Sequence, residues 1–234
     1  MKKISILLFI IWFENGLLSQ TISVETKIGK SKTNYTFIKK NNCKISFETK
    51  RPNNTDQNIL ACIPAAFTNL NNLKVDGIYS VNGIVGNRDV INQTLGGVFY
   101  IENNSCKIFQ SKKGKLFNDS LLTIVKTQKA SLFQQIQCIE NGTAAKFKDK
   151  KLFQRRGIAI LKDNSVAIIE SEQAITLEVF SKDLVLLNVK QLIYTDMGAW
   201  DEGWYRNPLH NVLIKIGKDL SQTDKQSNWI VFKK

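Results

Sequence analysis

The chain has 234 residues, 43% hydrophobic and 23% charged, with a formal net charge of +13. Such a length allows one sizeable core, or at most two small ones, and a domain of that size does not need disulfide staples to fold. The basic excess favours anionic partners such as phosphorylated sugars, acidic polysaccharides, anionic lipid surfaces or nucleic acid, but by itself it concerns solubility and steering.

Lys2 and Lys3, the apolar run from Ile4 to Phe13 and the mostly small or polar stretch from Gly16 to Gln20 follow the order of a secretory signal peptide. The run is about ten residues, short of the ~20 that a stable membrane-crossing helix needs. The expectation is a leader over residues 1–20, no stable membrane span, and a secreted or periplasmic domain over residues 21–234. Cys43, Cys62, Cys106 and Cys138 are too widely spaced for a zinc knuckle or a redox pair. In an oxidising compartment they permit two disulfides in any of three connectivities, and four buried free thiols fit equally well.

Along the chain, Tyr35 to Ile38 and Lys44 to Phe47 read as a β-hairpin around Asn41 and Asn42. Lys50 to Gln57 is polar and turn-like, and Asn58 to Ile63 reads as a buried strand ending at Pro64. Gly77 to Val85, Gly97 to Glu102 and Cys106 to Gln110 repeat the strand signature between asparagine and glycine turns. Asn118 and Asp119 suit the cap of a short helix over Ser120 to Ala130, and Leu132 to Ile139 reads as a strand entering the Asn141-Gly142 turn. Gly157 to Leu161 and Ser165 to Glu170 form a hairpin around Lys162-Asp163-Asn164. Thr176 caps a helix reaching Leu186, and Leu192 to Tyr194 is a short strand. With no repeat or linker, the predicted fold is α+β: a single domain with a mixed β-sheet and a few flanking helices.

The segment from Tyr194 to Asn207 concentrates Asp196, Asp201, Glu202, Arg206, Trp200 and Trp204 at the end of an apolar strand. A strand end followed by a glycine-containing loop displays polar groups on a rigid support. Tryptophans covering sugar faces beside carboxylates that hold hydroxyls or act on the anomeric carbon suit a carbohydrate site. A turn whose rings plug the core and whose acids are solvated fits the same residues. His210, the sole histidine, is a possible acid or base or a surface residue. Asp163-Asn164 and the acid cluster could hold a hard cation, but no spacing compels a metal, and no cofactor motif occurs. No Gly-x-Ser-x-Gly turn occurs to support a nucleophilic serine.

Several segments together resemble the phosphodiester glycosidase family. Ile63-Pro64-Ala65-Ala66-Phe67-Thr68 resembles its strand running into an Asn-Gly-Gly-Phe-Phe type turn, with Pro64 in place of the asparagine and Thr68 in place of the second aromatic. Gly77 to Gly83, Gly97 to Ile101 and Arg156 to Ile160 resemble the strands that follow. Tyr194-Thr195-Asp196-Met197-Gly198 resembles the Leu-Asp-Gly-Gly motif after the late helix, and Ser227 to Phe232 resembles the closing strand of bacterial members. The resemblance implies an exported hydrolase that cleaves between a sugar's anomeric carbon and a phosphodiester. It makes Asp196 the catalytic or substrate-binding carboxylate, with Glu202 or Asp201 as its partner. Arg156, then Arg206, would hold phosphate; Trp200 or Trp204 would stack on sugar; Thr68 would offer a hydroxyl. Met197, Ala199 and Trp200 break the family's glycine-serine run. That departure keeps a non-catalytic glycan-binding module on the same scaffold as the alternative. The partner expected is a carbohydrate or phosphorylated glycan, with no nucleic acid, because no basic helix or lysine-aromatic interleaving is evident.

Overall fold

Runs that alternate polar and apolar residues, or stay apolar for about six residues, dominate the chain, and both patterns form strands. The computed structural model describes residues 21–198, 201–218 and 220–234; the predicted leader, Ala199, Trp200 and Asp219 lie outside them. The first half contains β1 (Thr21–Ile28), β2 (Asn34–Asn41), β3 (Lys44–Glu48), β4 (Ile59–Pro64), β5 (Thr68–Asn69), β6 (Lys74–Val75), β7 (Tyr79–Val81), β8 (Ile84–Gly86), β9 (Gly97–Glu102) and β10 (Ser105–Gln110). Helix α1 (Asp119–Thr127) precedes β11 (Ser131–Gln135), β12 (Gln137–Glu140), β13 (Thr143–Ala144), β14 (Arg156–Leu161) and β15 (Val166–Ser171). Helix α2 (Leu177–Leu186) leads to β16 (Val189–Tyr194), β17 (Gly203–Arg206), β18 (Leu213–Ile216), a 3-10 turn over Thr223–Lys225 and β19 (Trp229–Lys233).

The strands form a seven-stranded sheet, β1-β2-β15-β14-β16-β12-β13, and two five-stranded sheets, β10-β9-β11-β7-β8 and β18-β17-β4-β19-β3; β5 and β6 pair separately. The fold is thus mostly β-sheet with two helices, in keeping with a sheet carrying a few flanking helices, but its named strands pair antiparallel in several sheets where the sequence pointed to one mixed sheet. No described helix is long and apolar enough to cross a membrane.

One core joins the three large sheets: Ile38, Ile158 and Ile193 of the first meet Phe99 and Phe133 of the second and Phe47, Ile63 and Ile230 of the third. The opposite face of the seven-stranded sheet is covered by α2, with Ala159, Leu161 and Ile169 against Phe180 and Leu184. Successive residues of β14 therefore point into two different cores, which explains why the strand is apolar throughout instead of alternating. Helix α1 packs Leu122 and Val125 against Val98, Tyr100 and Leu132. Both helix starts follow the capping rule: the Asn118 side chain accepts from Leu121 N–H, and the Thr176 side chain from Val179 N–H.

The local expectations at β4, β9, β10, β14, β15, α1 and α2 match. The hairpin between Tyr35 and Phe47 does not form: β2 pairs with β1 and β15, while β3 pairs with β19. Gly77 to Val85 folds as the β7–β8 hairpin about Asn82 and Gly83, and Leu132 to Ile139 breaks at Ile136 between two sheets. The four cysteines are free thiols, so the two-disulfide alternative is not the one adopted. Burial pushes the Cys106 and Cys138 thiols up to about 12.

Candidate functional site

Strand β16 ends at Tyr194, opposite Gly157 of β14, and the chain then crosses from the seven-stranded sheet toward β4. Thr195 N–H donates to the Arg156 carbonyl at 3.2 Å, and Asp196 N–H donates to the Ala65 carbonyl at 2.9 Å. Asp196 thus stitches the end of one sheet to the segment leaving the other. That segment is fixed by Asn228, a fully buried side chain whose Oδ1 accepts from Ala66 N–H at 2.7 Å and whose Nδ2 donates to the Ala66 carbonyl at 3.0 Å.

The Asp196 carboxylate accepts Thr68 N–H at 3.1 Å and Met197 N–H at 3.0 Å, and is 5% exposed. No ion pair to it occurs among the described residues. Burial pushes its carboxyl up to about 7; the two backbone N–H bonds oppose the rise, and the charge of Asp201 adds to it. A buried carboxylate lacking a cation and titrating near neutrality is suited to accept or release a proton.

Beside it lies a sealed cluster of charge. Arg156 is fully buried, and its guanidinium is paired with Glu170 and, at 2.7 Å, with Asp201. Burial works against the charged guanidinium, but the two carboxylates outweigh it and hold Arg156 above its ordinary range. The Asp201 contact is an ion pair without good hydrogen-bond alignment: neither Nη2 nor Oδ1 has an aligned partner, and Nη1 has none either. Two glycines make room. A Cβ on Gly203 would fall 3.2 Å from Arg156 Cζ and 2.8 Å from Ile216 Cγ1, while Gly217, at φ +92°, passes the Asp201 carbonyl where a Cβ would come to 1.9 Å.

Among the residues singled out from sequence, Asp196 lies at this sheet junction, and Asp201 and Arg156 pair behind it. Glu202 turns outward instead, where both its oxygens accept from Arg51 Nη2 at 2.7 Å. Arg206 is buried and donates to the carbonyls of Ile59, Asn54 and Asp56, so its fork is spent on backbone. Trp204 is sealed in a cluster with Ile59, Cys62, Trp229 and Val231. His210 is exposed in a turn, with its N–H donating to Asn207 Oδ1. Trp200 lies outside the described residues. The Thr68 hydroxyl sits 3.0 Å from Ser227 Oγ and 3.3 Å from Gln226 Oε1. Asp163 caps its own hairpin by accepting from Ser165 N–H and O–H. No group of three or more metal-ligating side chains occurs among the described residues.

Ser227 also borders a cleft of about 490 Å³ lined by Lys74, Tyr79, Asn87, Lys225 and Gln226. Lys74 is opposite Asn69 on β6, one ladder position from Thr68, which places this cleft within two residues of the Asp196 carboxylate.

Against solved structures, the chain overlays the catalytic domain of zebrafish N-acetylglucosamine-1-phosphodiester alpha-N-acetylglucosaminidase, auto-inhibited by its pro-peptide, with a TM-score of 0.62 at 10% identity. The overlay spans 94% of this chain and 85% of that one. The likeness is one of fold. A hypothetical protein from Synechocystis overlays with a TM-score of 0.58 at 11% identity, over 92% of this chain and 62% of that one. No family model and no curated protein matches the sequence.

Glu170 and Asn228 complete the site without being among the residues predicted from sequence. Glu170 was legible in principle: a hairpin centred on Asp163 puts it opposite Arg156, which is the observed register. Asn228 carries no signal of its own, because its partner is a backbone amide 162 residues away.

Proposed function

We propose that the chain is a glycosidase-like hydrolase that acts outside the cytoplasm on a glycosyl phosphodiester, with Asp196 as its proton-handling carboxylate. The observation carrying this reading is the position of Asp196: a buried, cation-free carboxylate held by two backbone N–H groups at a sheet junction, on a fold shared with a phosphodiester glycosidase catalytic domain. The secretory order of residues 1–20 supports the location.

In the proposed reaction, water gives a proton to the Asp196 carboxylate as its oxygen bonds to the anomeric carbon. The bond from that carbon to the phosphate oxygen breaks, and the electron pair leaves on the phosphate. The products are the free sugar and a phosphomonoester. A phosphomonoester is a weak base, with its second pKa near ~6, so its departure needs little acid assistance and one base suffices. Asp201 then serves by its charge and its grip on Arg156, without needing to touch substrate.

Arg156 and Arg206 are both engaged inside the protein, so the phosphate falls to cations that border open space. Lys74 and Lys225, at the cleft beside Ser227, are the ones this reading assigns. The deciding experiment measures sugar release from an N-acetylglucosamine phosphodiester and related glycosyl phosphodiesters by the wild type and by Asp196→Asn. Release that the variant abolishes supports the reading. Glycan binding without release, unchanged in Asp196→Asn, would instead indicate a binding module on the same scaffold.

A further inference from the structure

A second cleft, of about 830 Å³, lies at the far end of the strands that carry the Asp196 site. Arg156 begins β14 and Asp196 follows the end of β16; Ile160, Lys190 and Gln191, at the opposite ends of those strands, line this cleft. Ile160 lies four residue steps along β14 from Arg156, roughly 13 Å at the usual rise of a strand. Along one side runs β10, the edge strand of its sheet, which contributes Lys107, Ile108 and Phe109.

Lys40, Lys107 and Lys190 line the cleft, and neither an arginine nor a carboxylate does. None of the three lysines is in a salt bridge among the described residues. Lys190 Nζ meets only the neutral Asn164 Oδ1, at 3.4 Å, and Lys107 Nζ lies 6.0 Å from the Tyr100 ring centroid. Much of the neutral polar lining is already committed: Asn104 bonds the backbone of Ile45 and Cys43, and Gln191 bonds Gln137 and Asn141. The ammonium groups of Lys40 and Lys190 are thus the main polar groups left to meet a ligand, and Lys107, on the Tyr100 face of β10, adds its charge; none of the three has a salt-bridged counterion among the described residues.

We propose that this cleft binds a segment of acidic polysaccharide, recognised through its carboxylate or sulfate groups. Three lysines drawn from β2, β10 and β16 spread positive charge along the cleft, which suits repeated charges on one polymer better than one small anion. Lysine acts as a mobile point charge and tolerates variable anion positions, whereas recognition of nucleic-acid bases favours the arginine fork that is missing here. Phe109, the one aromatic residue in the lining, packs its ring against Tyr100, which leaves too little for a stacked single strand of nucleic acid.

The test titrates a labelled heparin-derived octasaccharide into the full chain at 0.15 M salt, with a neutral oligosaccharide and a single-stranded DNA as competitors. Lys40→Gln/Lys107→Gln/Lys190→Gln is compared with Lys30→Gln/Lys126→Gln/Lys148→Gln, which removes the same charge from exposed lysines outside the cleft. The expected result is a rise in Kd of about tenfold for the first triple variant, less than about twofold for the second, and little competition from the neutral sugar. Equal weakening by both variants, displacement by DNA at lower concentration than by the octasaccharide, or no binding by the wild type would each overturn the proposal. Asp196→Asn is expected to bind the octasaccharide as the wild type does, so the outcome is independent of whether the chain hydrolyses phosphodiesters.

Discussion

Arg156 and Glu170 stand directly opposite each other on β14 and β15, and their side chains close into an ion pair that solvent scarcely reaches. With Asp201 added, one guanidinium is shared by two carboxylates behind the loop that carries Asp196. Removing one member of a buried pair strands the other charges and typically costs ~3–5 kcal/mol. Arg156→Ala is therefore expected to lose about that much stability, measured by urea unfolding, and to lose any activity through misfolding. Arg156→Met combined with Glu170→Gln and Asp201→Asn is expected to recover much of the lost stability, because no bare charge remains buried.

Asp196 sets a pH dependence whose sign follows from its raised pKa. Its carboxyl titrates near ~3.9 in the unfolded chain and at about 7 in the fold. Between those values the folded state holds a proton that the unfolded state has lost, so this residue's contribution to stability falls as pH rises from about 4 to about 7 and is level above that. The loss is on the order of a few kcal/mol. Asp196→Asn is expected to flatten that slope in unfolding experiments across the range, gaining on the wild type most at pH 8. If Asp196 is the base, kcat/KM of the wild type rises through the same region and levels off above it.

Asn228 tests whether the junction tunes that carboxylate. Asn228→Ala leaves the N–H and carbonyl of buried Ala66 without partners, costing about 1–3 kcal/mol for such a group. The same change loosens the segment whose Ala65 carbonyl and Thr68 N–H hold Asp196. Water reaching the carboxylate would relieve the burial that raises its pKa, so the midpoint of the pH–rate profile is expected to move below that of the wild type. An unchanged midpoint in a destabilised variant would confine Asn228 to a structural role.

What was legible in the sequence was what is local. The β14–β15 hairpin and the caps of α1 and α2 depend on residues a few positions apart, and both were readable. The partnership of β3 with β19 joins opposite ends of the chain, and Asn41 and Asn42, which resemble a hairpin turn, instead pass the chain from one sheet to another. The same limit governs the site. Asp196 stood out at the end of an apolar strand, but a guanidinium aimed at backbone carbonyls, as in Arg206, has the same sequence signature as one aimed at a ligand. Glu202 and Asp201 are neighbours in sequence and still face different arginines, Arg51 and Arg156.

With both of those arginines and Arg206 engaged, the phosphate contact should reside in Lys74 and Lys225. Both are exposed at the cleft bordered by Ser227, whose hydroxyl lies 3.0 Å from that of Thr68. Asp224 also lines the cleft and partly offsets their charge, so each lysine matters to the local balance. Lys74→Gln/Lys225→Gln is expected to raise KM for a glycosyl phosphodiester about tenfold with little change in kcat, since an exposed ion pair contributes ~0.2–1 kcal/mol and two are lost. Asp224→Asn should shift KM the other way. Added salt should weaken substrate binding in the wild type and do so less in the double lysine variant, because screening acts on contacts the variant no longer makes. A fall in kcat at unchanged KM would show that these lysines act on the transition state, or on Asp196, more than on bound phosphate.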